Sequence, residues 1–280
     1  MLPRCLVVAV ALLAGCGSFS ATESPSADAS ADAAAAGDAT SLADADASGD
    51  AGDLGDAGAA ALLSAQDCEL KGSVLVDEHF STLPPSGWNL DNPSSLVALD
   101  GDPGDFVSAP TGFRAGIVAR TSGTTFGTLQ RTFNQAVMGT ICVTFQGRLF
   151  MGTETFGKAA ADQVGLFGIE LRATAAGPPT PQVMLVVRRG GLLLRVVDAA
   201  GDAVTSSPIN HGDGAYERWG IVLSRAARKA ALWVGSDTTA LPLDLPFDPG
   251  NITFGFGVAT TGQVSTVTFH MDDLRIAVVP

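Results

Sequence analysis

Positive charge and aromatic side chains are both scarce in this chain. Its 280 residues contain 16 Lys and Arg against 29 Asp and Glu, and aromatic residues make up 6%. A formal net charge of −13 argues against nucleic acid as a partner. The four cysteines form no Cys-x-x-Cys pair and no cluster with histidine, so zinc binding and redox catalysis have no support.

Signatures of hydrolytic catalysis are also missing. No serine lies in a Gly-x-Ser-x-Gly elbow. The three histidines, His79, His211 and His270, are far apart in the sequence. Gly255-Phe256-Gly257 lies inside an apolar run and indicates no nucleotide site. We therefore expect a protein that is not an enzyme.

The N-terminus has the three parts of a secretory signal. One positive charge at Arg4 precedes an apolar run that ends at Leu13, and Ala14 and Gly15 follow it. The run is too short to cross a bilayer, which needs about 20 apolar residues. An ordinary cleaved signal and a short membrane anchor are the alternatives to the interpretation that follows.

Leu13-Ala14-Gly15-Cys16 resembles the lipobox of bacterial lipoproteins. The resemblance implies cleavage before Cys16, a lipid on its thiol and a membrane partner through the acyl chains, of which two or more are needed for stable attachment. The residue after the cysteine is Gly17, which resembles the sorting pattern of outer-membrane lipoproteins. An aspartate at that position is typical of lipoproteins retained at the inner membrane. We expect an outer-membrane lipoprotein of a diderm bacterium, facing the periplasm or the exterior.

A spacer follows the signal of residues 1–15. Residues 16–66 are rich in Ala, Asp, Ser and Gly, a composition that cannot bury a core and predicts disorder. The segment 17–64 contains eight Asp, one Glu and no Lys or Arg, so most of the net charge lies in this tether. Residues 67–280 then form the predicted head domain.

The head shows short apolar or alternating runs separated by Gly, Pro, Asn and Asp, a rhythm typical of an all-β sandwich or barrel. A phase shift in the last run predicts a β-bulge at Asp272-Asp273. Two glycines after Arg188 predict a hairpin turn, and Trp219 is assigned to the core. The predicted strands are 73–80, 96–99, 114–120, 127–133, 139–150, 163–171, 182–188, 192–198, 217–223, 230–235, 252–258 and 264–279.

Three segments at the start, middle and end of the head share a family pattern. Asp77-Glu78-His79-Phe80, the segment 217–223 and the segment 269–276 resemble the concanavalin A-like lectin and glucanase jelly roll in its laminin-G-like form. The resemblance implies an antiparallel β-sandwich. Other sandwiches, including galactose-binding-like jelly rolls, are the alternative. The fold hosts lectins, glycoside hydrolases and adhesion modules, so it does not fix the function.

Retaining glucanases of this superfamily have two glutamates on one strand in the pattern Glu-x-Asp-x-x-Glu, which is absent here. Glu170 is a single carboxylate near Arg172, and we interpret the two as an ion pair on a sheet face. A glycoside hydrolase is therefore the least favoured of the functions considered.

Acidic residues suggest a structural calcium, as in many jelly-roll carbohydrate-binding domains. The resemblance implies ligands at the first and last strands, where the candidates are Asp77, Glu78, Asp272 and Asp273. The alternative is that these acids are solvated or paired with Arg275. A second candidate site is Asp100, Asp102 and Asp105, for which a polar turn is the alternative.

Cys68 and Cys142 remain once the signal is removed and Cys16 is acylated. In an exported protein two remaining cysteines most simply form a disulfide, which would join the domain entrance to a strand. Two free buried thiols are the alternative.

The candidate ligand-binding residues are Trp88, Arg188 and Arg195. Trp88 follows a Pro-Pro-Ser-Gly turn and could stack on a sugar or fold inward. Arg148, Arg172, Arg188, Arg189 and Arg195 could share one polar sheet face, although outward positions on half-solvated strands are the simpler explanation. The expected function is binding of an extracellular ligand, chiefly carbohydrate, without catalysis. The alternative is a structural or protein-interaction module that contacts a cell-envelope protein.

Overall fold

The structure is a computed structural model that describes part of the chain. The described residues are 67, 71–108, 110–118, 121–122, 124–134, 139–152, 155–157, 162–172, 182–189, 191–198, 202–212, 214–243 and 251–280. The predicted signal, 1–15, and the whole of the predicted spacer, 16–66, lie outside these residues. Within them, no helix has the length and apolar character needed to cross a membrane.

The described chain is built of β-strands that follow one another in sequence with short connections. The strands are β1 (Ser73–Glu78), β2 (Asn89–Asp91), β3 (Val97–Asp100), β4 (Gly112–Ile117), β5 (Thr121–Ser122), β6 (Thr125–Phe133), β7 (Thr140–Met151), β8 (Gln163–Arg172), β9 (Gln182–Arg188), β10 (Gly191–Val197), β11 (Ala203–Thr205), β12 (Glu217–Ser224), β13 (Lys229–Val234), β14 (Asp237–Pro242), β15 (Asn251–Thr261), β16 (Gln263–Val264) and β17 (Val267–Val279).

These strands form two large antiparallel sheets. Sheet A has the order β14-β13-β12-β7-β17-β4-β3, with β1 also paired to β17. Sheet B has the order β11-β10-β9-β8-β15-β6-β2, and β16 pairs with β5 in a small separate sheet. The central strands of each sheet come from distant parts of the chain, so each outer face combines residues that are far apart in sequence.

The core lies between the two sheets because one face of each strand is apolar. On β7, Ile141, Val143 and Phe145 are 3%, 0% and 0% exposed, and side chains alternate along a strand with period two. Phe145 contacts the rings of Trp219, Phe256 and Phe269 at centroid distances of 5.6 to 6.1 Å. Burial of each such ring stabilises the fold by about 1.5 to 3 kcal/mol. One inward aromatic cluster therefore joins strands of both sheets.

The predicted all-β antiparallel sandwich is confirmed, as are several local features. The register of β17 against β7 shifts between Asp272 and Arg275, and Asp273 has a φ of 49°, which is the predicted bulge. β9 and β10 pair as a hairpin with Gly191 at a φ of 133°. Trp219 is 1% exposed, as expected of a core residue.

Five strands were not predicted: β2, β5, β11, β14 and β16. Each has six residues or fewer, and β14 is rich in Thr and ends at Pro242. β2, β11 and β14 lie at the ends of the sheet orders. Edge strands have only one paired neighbour and need no continuous apolar pattern, which explains why these three strands have little signal in the sequence.

Candidate functional site

Small residues occupy the middle of the outer face of sheet B, the face turned away from sheet A. Ile169 points into the core and is fully buried, so Gly168 faces outward on β8. The register places Gly168 directly opposite Gly255 on β15. Gly165 and Gly257 continue this row of small residues along the same two strands. We call this glycine-lined strip and the polar side chains beside it the trough.

One side of the trough is formed by β6. Gln130 pairs with Gly255 in the register, and its Nε2 donates a hydrogen bond to Thr128 Oγ1 at 3.0 Å. Further along, the hydroxyl oxygens of Thr132 and Thr253 lie 2.9 Å apart. This side therefore presents amide and hydroxyl groups, which can both donate and accept hydrogen bonds.

The opposite side is formed by β9 and β10. Met184 pairs with Gly168 on one side and with Arg195 on the other. Gln182 pairs with Glu170 on β8, so these two polar side chains lie toward one end of the trough. This side combines the guanidinium of Arg195 and the amide of Gln182 with the apolar side chains of Met184, Val186 and Val197, and the carboxylate of Glu170 lies beside it on β8.

The polar residues of the trough are recessed. Gln130, Glu170, Gln182 and Arg195 are 7%, 2%, 5% and 7% exposed. Neighbouring groups therefore cover most of the surface of these four side chains. From Gly165 to Glu170 the strip extends roughly 17 Å, the length of a short oligosaccharide.

Sheet A has a different outer face, on which basic side chains lie on three adjacent strands. The register pairs His270 on β17 with Arg148 on β7 and with Arg114 on β4. Both neighbouring residues of His270 in sequence, Phe269 and Met271, are fully buried in the core, so His270 faces outward. Side chains opposite one another on adjacent strands have Cβ atoms about 5 Å apart, so these three groups are direct neighbours.

Arg148 is held firmly on this face. Its Nη1 donates to the carbonyl oxygen of Gly104 at 2.8 Å, and its Nη2 forms an ion pair with the Asp105 carboxylate. Its guanidinium carbon lies 4.7 Å from the ring centroids of both Phe150 and Tyr216, a cation–π distance. Arg148 thus fastens the segment around 104–105 to the sheet.

Tyr216 belongs to the same contact. Its hydroxyl donates to the carbonyl oxygen of Asp105 at 2.6 Å. Burial raises the pKa of Tyr216 to about 12, with the positive charge of Arg148 opposing the rise. The phenol therefore stays protonated and keeps donating this hydrogen bond over the whole physiological pH range.

Asp272 is the second anchor of the same segment. It is fully buried, and its carboxylate accepts hydrogen bonds from the backbone N–H groups of Val107 and Ser108 at 2.8 and 2.6 Å. The Ser108 hydroxyl and the Asp273 N–H also donate to it, at 3.0 and 2.9 Å. Four donors around one carboxylate explain how a buried charge is tolerated here.

His270 lies between the two arginines and is 4% exposed. Its Nδ1 is buried and has no hydrogen-bond partner in the part of the chain that the structure describes, and its ring meets Phe150 edge-on at a centroid distance of 5.8 Å. Burial lowers the pKa of His270, and the charge of Arg148 lowers it further. The imidazole is therefore neutral at neutral pH.

The predicted calcium ligands lie at β1 and at the bulge of β17, as expected, but each contacts protein donors. Asp273 Oδ1 is 2.8 Å from His79 Nδ1, which raises the pKa of His79. Glu78 accepts a hydrogen bond from the Phe80 N–H at 2.9 Å, and Asp77 lies 3.9 Å from His79. With Asp272 anchoring residues 107–108, calcium at Asp77, Glu78, Asp272 and Asp273 stays a prediction.

The second candidate set is brought together. Ligand oxygens of Asp100, Asp102 and Asp105 all lie within 4.8 Å of one another, and this is the only such group of three acids among the described residues. Asp105 is also the ion-pair partner of Arg148, and Asp100 lies 3.6 Å from Arg114 Nε. Any cation here would share two of its ligands with arginines.

Trp88 faces inward, which was one of the two possibilities considered. It is 4% exposed, lies 5.8 Å from the Phe256 ring and has the Arg131 guanidinium 5.9 Å from its own ring. The structure therefore places Trp88 in the core rather than on a ligand-facing surface. Proline and glycine before it form a turn that directs the indole inward.

The candidate arginines are divided between the sheets. Arg188 and Arg195 share the outer face of sheet B, where Arg188 donates to Gln163 Oε1 at 2.9 and 2.7 Å. Arg148 lies on the outer face of sheet A, so the idea of one face with all five arginines is wrong. The reason is that β7 and β9 belong to different sheets, which alternation along each strand cannot reveal.

The cysteine predictions fall mostly outside the described residues. Cys142 is 1% exposed on β7 and is disulfide-bonded. Cys16 and Cys68 are not among the described residues, so lipidation of Cys16 and the pairing of Cys68 with Cys142 stay predictions.

The sequence interpretation missed the residues that line the two faces most closely. Gln130, Gln182, Phe150 and Tyr216 were not singled out, and neither was the row of glycines. The sequence contains a signal for this row of glycines, since a glycine stands next to a buried apolar residue in Gly168-Ile169 on β8 and in Gly255-Phe256-Gly257 on β15. Only the register shows that these glycines are opposite each other.

No protein-family model matches the chain, and no curated protein matches it. Solved structures do match. An endo-β-1,4-glucuronan lyase from the fungus Trichoderma reesei is 13% identical with a TM-score of 0.54, over 74% of this chain and 96% of that one. A cellulose-induced protein is 16% identical with a TM-score of 0.48, over 72% and 96%. A galactose-bound lectin is 11% identical with a TM-score of 0.42, over 68% and 97%.

The likeness to the glucuronan lyase corrects the expectation that the domain is not an enzyme. That expectation depended on missing motifs, above all the Glu-x-Asp-x-x-Glu pattern of one glycosidase class. A polysaccharide lyase has the same fold, so the lack of that pattern does not exclude catalysis. At this identity the likeness establishes the fold alone: the head is an antiparallel β-sandwich with the fold of the similar lyase.

Proposed function

We propose that the head binds a polysaccharide and that the trough of sheet B is its binding site. The observation that supports this most directly is the pairing of Gly168 with Gly255, which places two residues without side chains between Gln130 on β6 and Met184 on β9. A chain of sugar rings needs a smooth, elongated surface flanked by hydrogen-bonding groups.

The chemistry of the trough suits a chain that bears hydroxyls and carboxylates. Gln130 and Gln182 can both donate and accept hydrogen bonds, as sugar hydroxyls do. Arg188 and Arg195 lie on the same outer face and provide planar guanidinium groups that match carboxylate geometry. The similar lyase acts on glucuronan by name, which makes an acidic polysaccharide the first choice of probe.

The test is a titration of the mature chain with glucuronan, alginate and a neutral glucan, followed by calorimetry. Gly255→Val adds bulk between Gln130 and Gly168, and we expect affinity to fall at least about tenfold, or about 1.4 kcal/mol. Ala240→Val is the matched control, because Ala240 is exposed on β14 at the edge of sheet A. Its affinity should equal that of the unmodified protein.

The same polysaccharides should be assayed for cleavage through the unsaturated or reducing ends that chain scission produces. Binding that Gly255→Val abolishes supports the proposal whether or not cleavage occurs. Failure of a folded protein to bind any of the three polymers would reject it and favour a structural or protein-interaction module.

We also propose that the mature protein is tethered to the outer membrane through acyl chains on Cys16, since the sequence motif at Leu13–Cys16 and Gly17 supports this. Expression in a diderm host should place the protein in the detergent phase after phase partitioning, with a mass increase on the N-terminal peptide. Cys16→Ser should shift it to the aqueous phase. An unmodified N-terminal peptide would contradict the proposal.

A further inference from the structure

Two residues that face each other on sheet A each have a buried side-chain nitrogen atom without a hydrogen-bond partner among the described residues. Arg148 Nε and His270 Nδ1 are both buried and have no hydrogen-bond partner among the described residues. Arg148 and His270 are opposite each other on β7 and β17 and are 8% and 4% exposed. Buried polar groups in proteins are nearly always hydrogen-bonded, so two neighbouring exceptions indicate a missing oxygen.

The two atoms require a partner of one specific kind. Arg148 Nε–H can only donate a hydrogen bond. His270 Nδ1 accepts one when the neutral ring has its proton on Nε2. In that tautomer a hydroxyl group suits both atoms, because its oxygen accepts from Nε–H and its hydrogen is donated to Nδ1, whereas a carboxylate could not donate to His270.

An exposed aromatic ring lies beside this pair. Phe150 is 38% exposed, one of few large apolar side chains so exposed among the described residues. Its ring contacts both the Arg148 guanidinium, at 4.7 Å, and the His270 imidazole, at 5.8 Å. An exposed aromatic ring next to hydroxyl-binding groups is suited to the C–H face of a sugar ring.

The charge at this location favours an uncharged ligand. Asp105 already neutralises Arg148, and Asp100 lies 3.6 Å from Arg114. An added carboxylate would therefore meet two aspartates. We propose that Arg148, His270 and Phe150 form a second sugar-binding site, on sheet A, that takes a neutral sugar residue through one hydroxyl group.

The test follows the imidazole nitrogens of His270 by NMR in the mature chain. The probes are neutral oligosaccharides of glucose, of mannose and of galactose, added separately. At least one should shift the His270 Nδ1 resonance in a saturable way. His270→Gln identifies the resonance, and Gly255→Val, which changes the trough on the other sheet, should leave the shift intact. Loss of trough binding and loss of this site are thus measured separately.

Phe150→Ala should weaken the same binding by about fivefold through loss of stacking. Val118→Ala is the control, since Val118 is 82% exposed just beyond β4 and should have no effect. If Phe150→Ala does not fold, Phe150→Leu tests the same contact with less loss of packing. The proposal would be overturned if no sugar shifted the His270 resonance and Arg148 Nε and His270 Nδ1 were bonded only to a bound water.

Discussion

The two outer faces of this sandwich are built on the same principle and used differently. On sheet A, Arg148 on β7 and Asp272 on β17 fasten the segment around residues 104–108 to the sheet. On sheet B, Gly168 and Gly255 on the central strands form a strip without side chains between polar neighbours. A sheet face can therefore support a covering segment or a ligand, depending on the size of its central side chains.

The largest effect should come from the buried anchor on sheet A. Asp272→Ala removes the acceptor of four hydrogen bonds and leaves the N–H groups of Val107 and Ser108 without their partner. We expect the free energy of unfolding to fall by about 3 kcal/mol. Urea denaturation followed by tryptophan fluorescence measures it. A loss below that of Asp273→Ala would contradict the role given to Asp272.

Arg148→Ala should have the next largest effect. It removes an ion pair and a hydrogen bond to the 104–105 segment together with the stacking between Phe150 and Tyr216. The expected loss is about 2 kcal/mol, because the groups are mostly buried. Hydrogen exchange should show faster exchange confined to residues near 104–108. Uniformly faster exchange throughout both sheets would argue against local anchoring.

A matched change on sheet B should cost less stability and more function. Gln130→Ala removes one neutral hydrogen bond, to Thr128, with an expected loss of about 1 kcal/mol. If the trough binds polysaccharide, affinity should also fall, whereas Arg148→Ala should leave trough binding unchanged. If Arg148→Ala weakened polysaccharide binding and Gln130→Ala left it unchanged, the functions assigned to the two faces would have to be exchanged.

The smallest expected effect is a pH dependence to which His79 and His270 contribute in opposite directions. His270 has a lowered pKa, so the unfolded chain binds its proton more readily, and stability should fall as pH drops below about 6.5. His79 has a raised pKa because of Asp273, so its contribution is complete below about 6.5 and is lost as pH rises through the folded value. Melting temperatures from pH 5 to 8 should lose the acidic slope in His270→Gln.

The alkaline part of the same curve should flatten in His79→Gln instead. This effect is small because the His79 side chain is 57% exposed and solvent screens its ion pair with Asp273. Identical pH profiles for both variants would show that neither histidine determines the dependence.

The sequence by itself determined the inner faces. Alternation along β7, the phase shift at Asp272-Asp273 and the glycines of the β9–β10 turn each depend on residues that are near in sequence, so the antiparallel sandwich, the bulge and the hairpin could be predicted. Trp219 was assigned to the core for the same reason. Burial of apolar surface decides these positions, and it follows the local pattern directly.

Only the tertiary structure decided the outer faces. Gly168 meets Gly255, and Arg148 meets His270, because strands more than eighty residues apart in sequence pair in a particular register. Trp88 was open to two interpretations until its packing against Phe256 placed it in the core. The role of a polar group on a sheet face depends on its neighbours on adjacent strands. The local sequence pattern does not specify which strands become adjacent.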